Sequence, residues 1–216
     1  CQTFTLNDVC NDCSPRDADH CNGCTAPLEV LKEKILNEKI TARAKFLTLK
    51  EIEYLDDKGC LRRWESADRA ADACAVMIVG HIVPDDEYIL VRQFRPPTGR
   101  KMIEFPAGLI EKGESPETTA VRELYEETGF SGKITRVTPF GFSSPGMSGE
   151  GIAVAFMEID GNAVRGREVT AHPEECESIE TFRVPAEKLA DFIAGREALG
   201  DGIDTKLYLF CASPRR

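Results

Sequence analysis

Gly108 to Phe130 read GLIEKGESPETTAVRELYEETGF. Ser115 followed by Pro116 makes an N-cap with proline at the first helical position, and Gly129 is a residue that stops a helix, so a helix is predicted between them. At about 100° per residue, Glu123, Glu126 and Glu127 then fall within one arc of roughly 100°. Like charges at i,i+3 and i,i+4 destabilise a helix by about 0.2–0.5 kcal/mol per pair unless something neutralises them, and a divalent cation would. The adjacent face carries Val121, Leu124 and Thr128, able to pack the helix on a sheet and hold the carboxylates at a cleft. Arg122 stands four residues before Glu126, in reach of an ion pair, and Glu114 precedes the helix and can return to the same place. A solvated acidic face is the commonest use of such a cluster, and the spacing speaks against it here.

The stretch is similar to the Nudix box, Gly-x5-Glu-x7-Arg-Glu-U-x-Glu-Glu-x-Gly-U with U apolar. Gly108, Glu114, Arg122, Glu123, Leu124, Glu126, Glu127, Gly129 and Phe130 all match its fixed positions. The resemblance implies a loop–helix–loop that binds Mg²⁺ and hydrolyses a nucleoside diphosphate linked to another group. The chemistry is consistent with the residue types. Mg²⁺ takes oxygen ligands, keeps several waters and is shared between a few carboxylates and substrate phosphates. Metal between an acidic helix and an acidic pyrophosphate lets the two meet, and it lowers the pKa of an attacking water.

Outward from the box, Val76–Val79, Tyr88–Phe94, Met102–Phe105, Ile134–Phe142, Ile152–Ile159 and Ile179–Val184 read as strands separated by turn signals. A second helix is expected over Ala186–Ala194, stopping at Gly195, and a third apolar pattern over Ile203–Cys211. Between Leu28 and Ala75 the sequence predicts a short helical pattern (Leu28, Leu31, Ile35) and two strands, Phe46–Tyr54 and Leu61–Trp64, joined by the turn Asp56 to Gly59. The expected fold is a mixed α/β sandwich. Its divisions are a Cys-rich tail over 1–27, a small antiparallel sheet region over 28–75, and a Nudix domain over 76–216.

The chain has 216 residues, enough for one buried core and a modest appendage. Its net charge of −10 argues against phosphate-backbone or anionic-membrane binding as the main activity. The longest apolar run, Ala73–Val79, is far short of the roughly 20 residues of a membrane-spanning helix. Nine cysteines, an odd count, and the lack of a basic-then-apolar leader predict a reducing, cytosolic setting. Cys10, Cys13, Cys21 and Cys24 form two Cys-x2-Cys pairs that suit tetrahedral Zn²⁺, against free thiols as the alternative; the gap of seven between the pairs is short for a zinc ribbon.

Residues flanking the box, Val91 to Pro97, Ile103 to Gly108 and Pro145 within Ser144 to Glu150, resemble the ADP-ribose and ADP-sugar pyrophosphatase branch from about Phe46 onward. That resemblance implies metal contacts from the Ala107 carbonyl, Glu123, Glu126 and Glu127, with Mg²⁺ or Mn²⁺ as the ion. It places Arg95 on the phosphates and Leu109 at the substrate pocket. The base or last metal ligand would be Glu177 on a loop before the final strand, with Glu174, Glu175, Glu180 and Glu150 as rivals. Human-type members stack adenine between two tryptophans of different subunits; Trp64 matches one, and Phe46 stands where the other would be. Glu65 and Arg69 would read the adenine edge and the phosphate or ribose. Ser144 replaces an acidic residue that meets the terminal ribose in some relatives. The resemblance also implies a homodimer that exchanges the 28–75 sheet. Hydrolysis of ADP-ribose to AMP and ribose 5-phosphate is the expected activity. Another nucleoside diphosphate sugar as substrate, or a non-catalytic ADP-ribose sensor, are the alternatives.

Overall fold

The computed structural model describes residues 34–70, 74–165 and 178–213. The thiols of Cys10, Cys13, Cys21 and Cys24, the apolar Leu28 and Leu31, and Glu174, Glu175 and Glu177 lie outside the described residues. Two compact units emerge, one containing the described residues up to Ala70 together with Ser144–Gly149, the other holding the remainder.

The first unit is a three-stranded antiparallel sheet in the order β1-β2-β3, of Ile35–Arg43, Leu47–Leu55 and Leu61–Arg69. The two strands expected from sequence are present, and the turn between them closes where predicted, with the Gly59 N–H donating to the Asp56 carbonyl at 2.8 Å. The first strand is a correction. Ile35 opens β1 and does not continue a helix; it pairs with Tyr54, and the ladder runs to Arg43 opposite Thr48. A helical spacing read over eight residues was outweighed by the backbone hydrogen bonds that β2 supplies along nine. β1 is exposed along its whole length.

The second unit is built on a mixed sheet. Its strands are β4 (Ala75–Val83), β5 (Glu87–Arg95), β6 (Arg100–Glu104), β7 (Ala107–Leu109), β8 (Lys133–Val137), β9 (Gly141–Phe142), β10 (Gly151–Asp160), β11 (Glu180–Pro185) and β12 (Gly202–Ile203). Their order is β12-β6-β5-β4-β10-β8, with β11 on β5, β7 on β4 and β9 on β10. β4 and β10 run parallel at the centre, from Ala75 opposite Ile152 to Val83 opposite Asp160. Parallel central strands are buried on both faces, which is why Val76 to Val79 is uninterruptedly apolar. Val76, Ile78, Ala153, Ala155 and Met157 face one helix, α1 (Pro116–Thr128), through its Ala120 and Leu124. Met77 and Val79 face the other side, where α3 (Leu189–Ala198) and α4 (Thr205–Ala212) bring Leu189, Ile193 and Leu207; a single turn, α2, occupies Gly161–Val164. This is the expected α/β/α sandwich.

The boundaries differ in four places. Ile134–Phe142 is broken into β8 and β9 around Pro139, which has no N–H to give a ladder. The strand over Met102–Phe105 is followed, after Pro106, by the short β7, so the box opens on a strand. Gly195 lies inside α3, because the buried Leu189 and Ile193 carry the helix beyond it; the turn comes at Gly200, with φ of +90°. Ile203 ends a two-residue strand, and the last helix starts behind it, where the Asp204 carboxylate caps the Lys206 N–H at 2.7 Å. Among the described residues no helix is long and apolar enough to cross a membrane.

Leu124 is fully buried between α1 and the sheet. Leu124→Ala is therefore expected to lower unfolding free energy by about 2–5 kcal/mol through lost burial and the cavity left behind, read as a lower denaturant midpoint.

Candidate active site

The site grows from the ends of α1. Ser115 caps its N-terminus, accepting the Thr118 N–H at 3.2 Å. At the other end Gly129 sits at φ of +73°, a left-handed conformation that suits glycine, and its N–H donates to the Tyr125 carbonyl. Pinned at both ends and packed through Leu124, the helix has no freedom to roll, so its acidic face is fixed against β7.

On that face Arg122 gathers the carboxylates. Its guanidinium donates to Glu123 Oε1 at 2.9 Å, to Glu126 Oε2 at 3.0 Å and to both oxygens of Glu114 at 3.2 and 3.0 Å, and it reaches the Leu109 carbonyl at 3.3 Å. Glu114 also accepts the buried Thr119 hydroxyl at 2.7 Å. The Arg122 guanidinium and then the Thr119 hydroxyl hold the Glu114 carboxyl down at about 2, so it stays charged well below the pH at which a free glutamate takes up a proton. Glu114 first, then Glu123 and Glu126, raise Arg122 further above its ordinary value against the opposing effect of burial. One cation is thus shared among three carboxylates, leaving the cluster net negative.

Glu127 points inward and is only 5% exposed. The Ala107 N–H donates to its Oε2 at 3.2 Å, which couples the buried carboxylate to the first residue of β7. Thr181, at the start of β11, donates from its hydroxyl to the Glu127 carbonyl at 3.4 Å, so the strand that follows the residue 177 region runs beside the end of the acidic helix. Gly108 makes the close approach possible: a Cβ there would stand 1.9 Å from Glu123 Cδ.

Ala107, Leu109, Glu123, Glu126, Glu127 and Arg122 are therefore brought together by β7 and α1. Among the described residues no three acidic, imidazole or thiol groups stand together as a metal-holding set; Arg122 draws Glu123 and Glu126 to itself while Ala107 holds Glu127. The donors are hard oxygens of the kind Mg²⁺ accepts, and their surplus negative charge suits a divalent ion. Arg95, at the end of β5, donates to Glu104 Oε2 at 2.8 Å. Glu180 is held by Arg92 at 3.1 Å, and Arg92 also grips the buried Asp201. Glu150 directly precedes β10.

In the first unit, Trp64 lies on β3 opposite Ile52, and Phe46 lies just before β2, its carbonyl accepting the Ala70 N–H. Phe46 is 67% exposed and Trp64 49% exposed. Six residues of strand separate the Trp64 position from Ala70, roughly 20 Å, too far for the two rings of one sheet to clasp one base. Glu65 and Arg69 lie on the same strand as Trp64, and Ser144 opens the segment of the unit that follows. Sequence reading missed Thr119, Glu104 and Asp68 as supporting groups. The first two were beyond reach because no motif marks their pairing; Asp68 was hidden because two of its partners, Ser148 and Gly149, lie 80 and 81 residues away.

A Nudix-domain profile matches residues 73–200. The mouse ADP-sugar pyrophosphatase is 32% identical over 83% of this chain and 86% of its own length. The ADP-ribose pyrophosphatase of Saccharomyces cerevisiae is 34% identical over 78% of this chain and 77% of its own. A crystal structure of an ADP compounds hydrolase superposes with a TM-score of 0.58 at 26% identity, covering 74% of this chain and 82% of that one.

Gly108→Ala is expected to leave the fold intact, since the atoms it displaces are the end of a flexible side chain, but to push Glu123 off its place. Turnover should fall about a hundredfold, as for an ångström-scale misplacement, with an unchanged melting temperature. Wild-type turnover would show that Glu123 does not need this position.

Proposed function

Because the chain belongs to the Nudix hydrolase family, we propose that it hydrolyses the diphosphate of ADP-ribose, or of a related ADP-sugar, to AMP and the sugar phosphate. The observation that carries this reading is the acidic face of α1, where Arg122 holds Glu123 and Glu126 and the Ala107 N–H holds Glu127. The relatives whose names state ADP-ribose or ADP-sugar as substrate support the choice of nucleotide.

The Ala107 carbonyl, Glu123, Glu126, Glu127 and Glu177 would hold Mg²⁺, or Mn²⁺ in its place. When bound, the ion offsets the charge of the diphosphate and makes a water more acidic. The chain's own residues do the rest. Arg122 keeps Glu123 and Glu126 in one orientation, so little reorganisation is needed when substrate arrives. Arg95, steadied by Glu104, binds the phosphates, and Leu109 lines the pocket. Glu177 takes the proton of the attacking water; the new P–O bond forms as the bridging P–O bond breaks, and the departing phosphate carries the second product away. Glu180 is engaged by Arg92, which also pairs with Asp201, and this favours Glu177 over it as base.

Adenine would stack on Trp64, with Glu65 and Arg69 at its edge and phosphates. The distance between Trp64 and Phe46 along one sheet supports a homodimer with exchanged N-terminal sheets, in which each base is held by Trp64 of one copy and Phe46 of the other. Ile35, Leu36, Ile40, Leu47 and Leu49, all exposed, supply the apolar surface such an exchange needs. Phe46 and Ser144, where relatives carry tryptophan and an acidic residue, point to a base and a terminal ribose held less tightly, which favours a broader set of ADP-sugars as the second reading. Retention of every box glutamate favours turnover over a sensor role. Zn²⁺ on Cys10, Cys13, Cys21 and Cys24 would be an addition separate from this chemistry.

The test is a panel of nucleoside diphosphate sugars with Mg²⁺, read by chromatography of the released mononucleotide, for wild type and Glu127→Gln. ADP-ribose or an ADP-sugar should be cleaved to AMP, and Glu127→Gln should lower that rate by several orders of magnitude while remaining folded. Equal Mg²⁺-dependent rates in the two proteins would overturn the assignment.

A further inference from the structure

The segment Ser144–Gly149 is closed on itself and clamped to the edge of β3. The Ser144 carbonyl accepts the N–H groups of Met147 and Ser148, each at 2.9 Å, and the Met147 carbonyl accepts the Ala67 N–H at 2.9 Å. Asp68 holds the end of the turn with one oxygen and the sheet with the other. Its Oδ1 accepts the Gly149 N–H at 2.8 Å and the Ser148 hydroxyl at 3.3 Å, while its Oδ2 accepts the Ser66 hydroxyl at 2.9 Å and lies 3.4 Å from Lys50. At the other end of the turn the Gly146 carbonyl accepts the indole N–H of Trp64 at 3.0 Å.

We infer that Asp68 is a positioning residue, which by fixing the Gly146–Gly149 turn sets the orientation in which the Trp64 ring is presented to a nucleotide base. The inference rests on the reading of Trp64 as the base platform. A half-exposed indole on an edge strand would otherwise exchange rotamers, and a base would have to order it on binding. The N–H is the only donor the ring has, so one carbonyl suffices to fix its direction provided the carbonyl is itself immobile. Neutral backbone contacts hold Gly146 from one side; the carboxylate holds the turn from the other, through charge-assisted bonds that are stronger than neutral ones. Burial pushes the Asp68 carboxyl up, but the Gly149 N–H, the Ser66 hydroxyl and Lys50 outweigh it and keep it below the usual carboxylate range, so it holds its charge at neutral pH.

Trp64 is the only tryptophan of the chain, so its emission reports this side chain alone. The experiment takes the full chain as wild type, Asp68→Ala, Asp68→Asn and Trp64→Ala, and measures acrylamide quenching without ligand together with KM and kcat for ADP-ribose. Asp68→Ala should raise the quenching constant about twofold and KM about three- to tenfold, with kcat changed less than twofold, since an ungripped ring costs binding and not chemistry. Asp68→Asn, which keeps one acceptor, should fall between. If Asp68→Ala does not fold, Ser148→Ala gives the same readouts with a smaller expected change. A folded Asp68→Ala with wild-type quenching and wild-type KM overturns the inference, while a raised KM in Trp64→Ala would leave the base reading standing. Conversely, a wild-type KM in Trp64→Ala removes Trp64 from the base site, and with it the role assigned to Asp68.

Discussion

Carboxylates crowd one face of α1 and repel each other, and a single guanidinium holds three of them, two on the helix and Glu114 just before it. Arg122 donates to Glu114, Glu123 and Glu126 at 2.9–3.2 Å, so the acidic face is ordered without being neutralised. That surplus of charge has to be met by something that also meets a diphosphate. The rest of the second unit can be understood as what such a face requires: a helix that cannot roll, a strand it can approach, and a core to hold both.

The core supplies the rigidity. β4 is buried on both faces and β10 on one, with α1 covering one side of the sheet and α3 and α4 the other. α1 meets the sheet through Ala120 and Leu124, and Gly108 lets Glu123 come down onto β7 where any side chain would block it. Ala107 then links the strand to the buried Glu127 by one hydrogen bond. Packing, backbone and charge converge on the same few residues, which is the consistency that marks a specified structure.

Much of this was legible in the sequence where a residue's role is local. Ser115, Pro116 and Gly129 bounded α1 correctly, because caps and positive φ are decided by the residue itself. The apolar run at Val76 to Val79 identified a doubly buried strand for a similar reason. Ile35 was misread because eight residues of periodicity cannot tell a helix from an edge strand whose partner is still to come. Gly195 was misread because burial of Leu189 and Ile193 outweighs a glycine in mid-helix. At the site, the box residues were legible through their spacing. Asp68 was not, since the fold brings Gly149 to it from 81 residues away; Glu104 and Thr119 act on Arg95 and Glu114 only nine and five residues away, but no motif marks either pair.

The most direct measurement of the central claim is Mn²⁺ binding to the full chain, followed by loss of the free-ion EPR signal, in wild type and in Glu123→Gln. Saturable binding in wild type, strengthened by a non-hydrolysable ADP-ribose analogue and much weakened by the substitution, is what the arrangement of Arg122 and its carboxylates predicts. The same weak, unsaturating signal loss in both proteins, with or without the analogue, would contradict it.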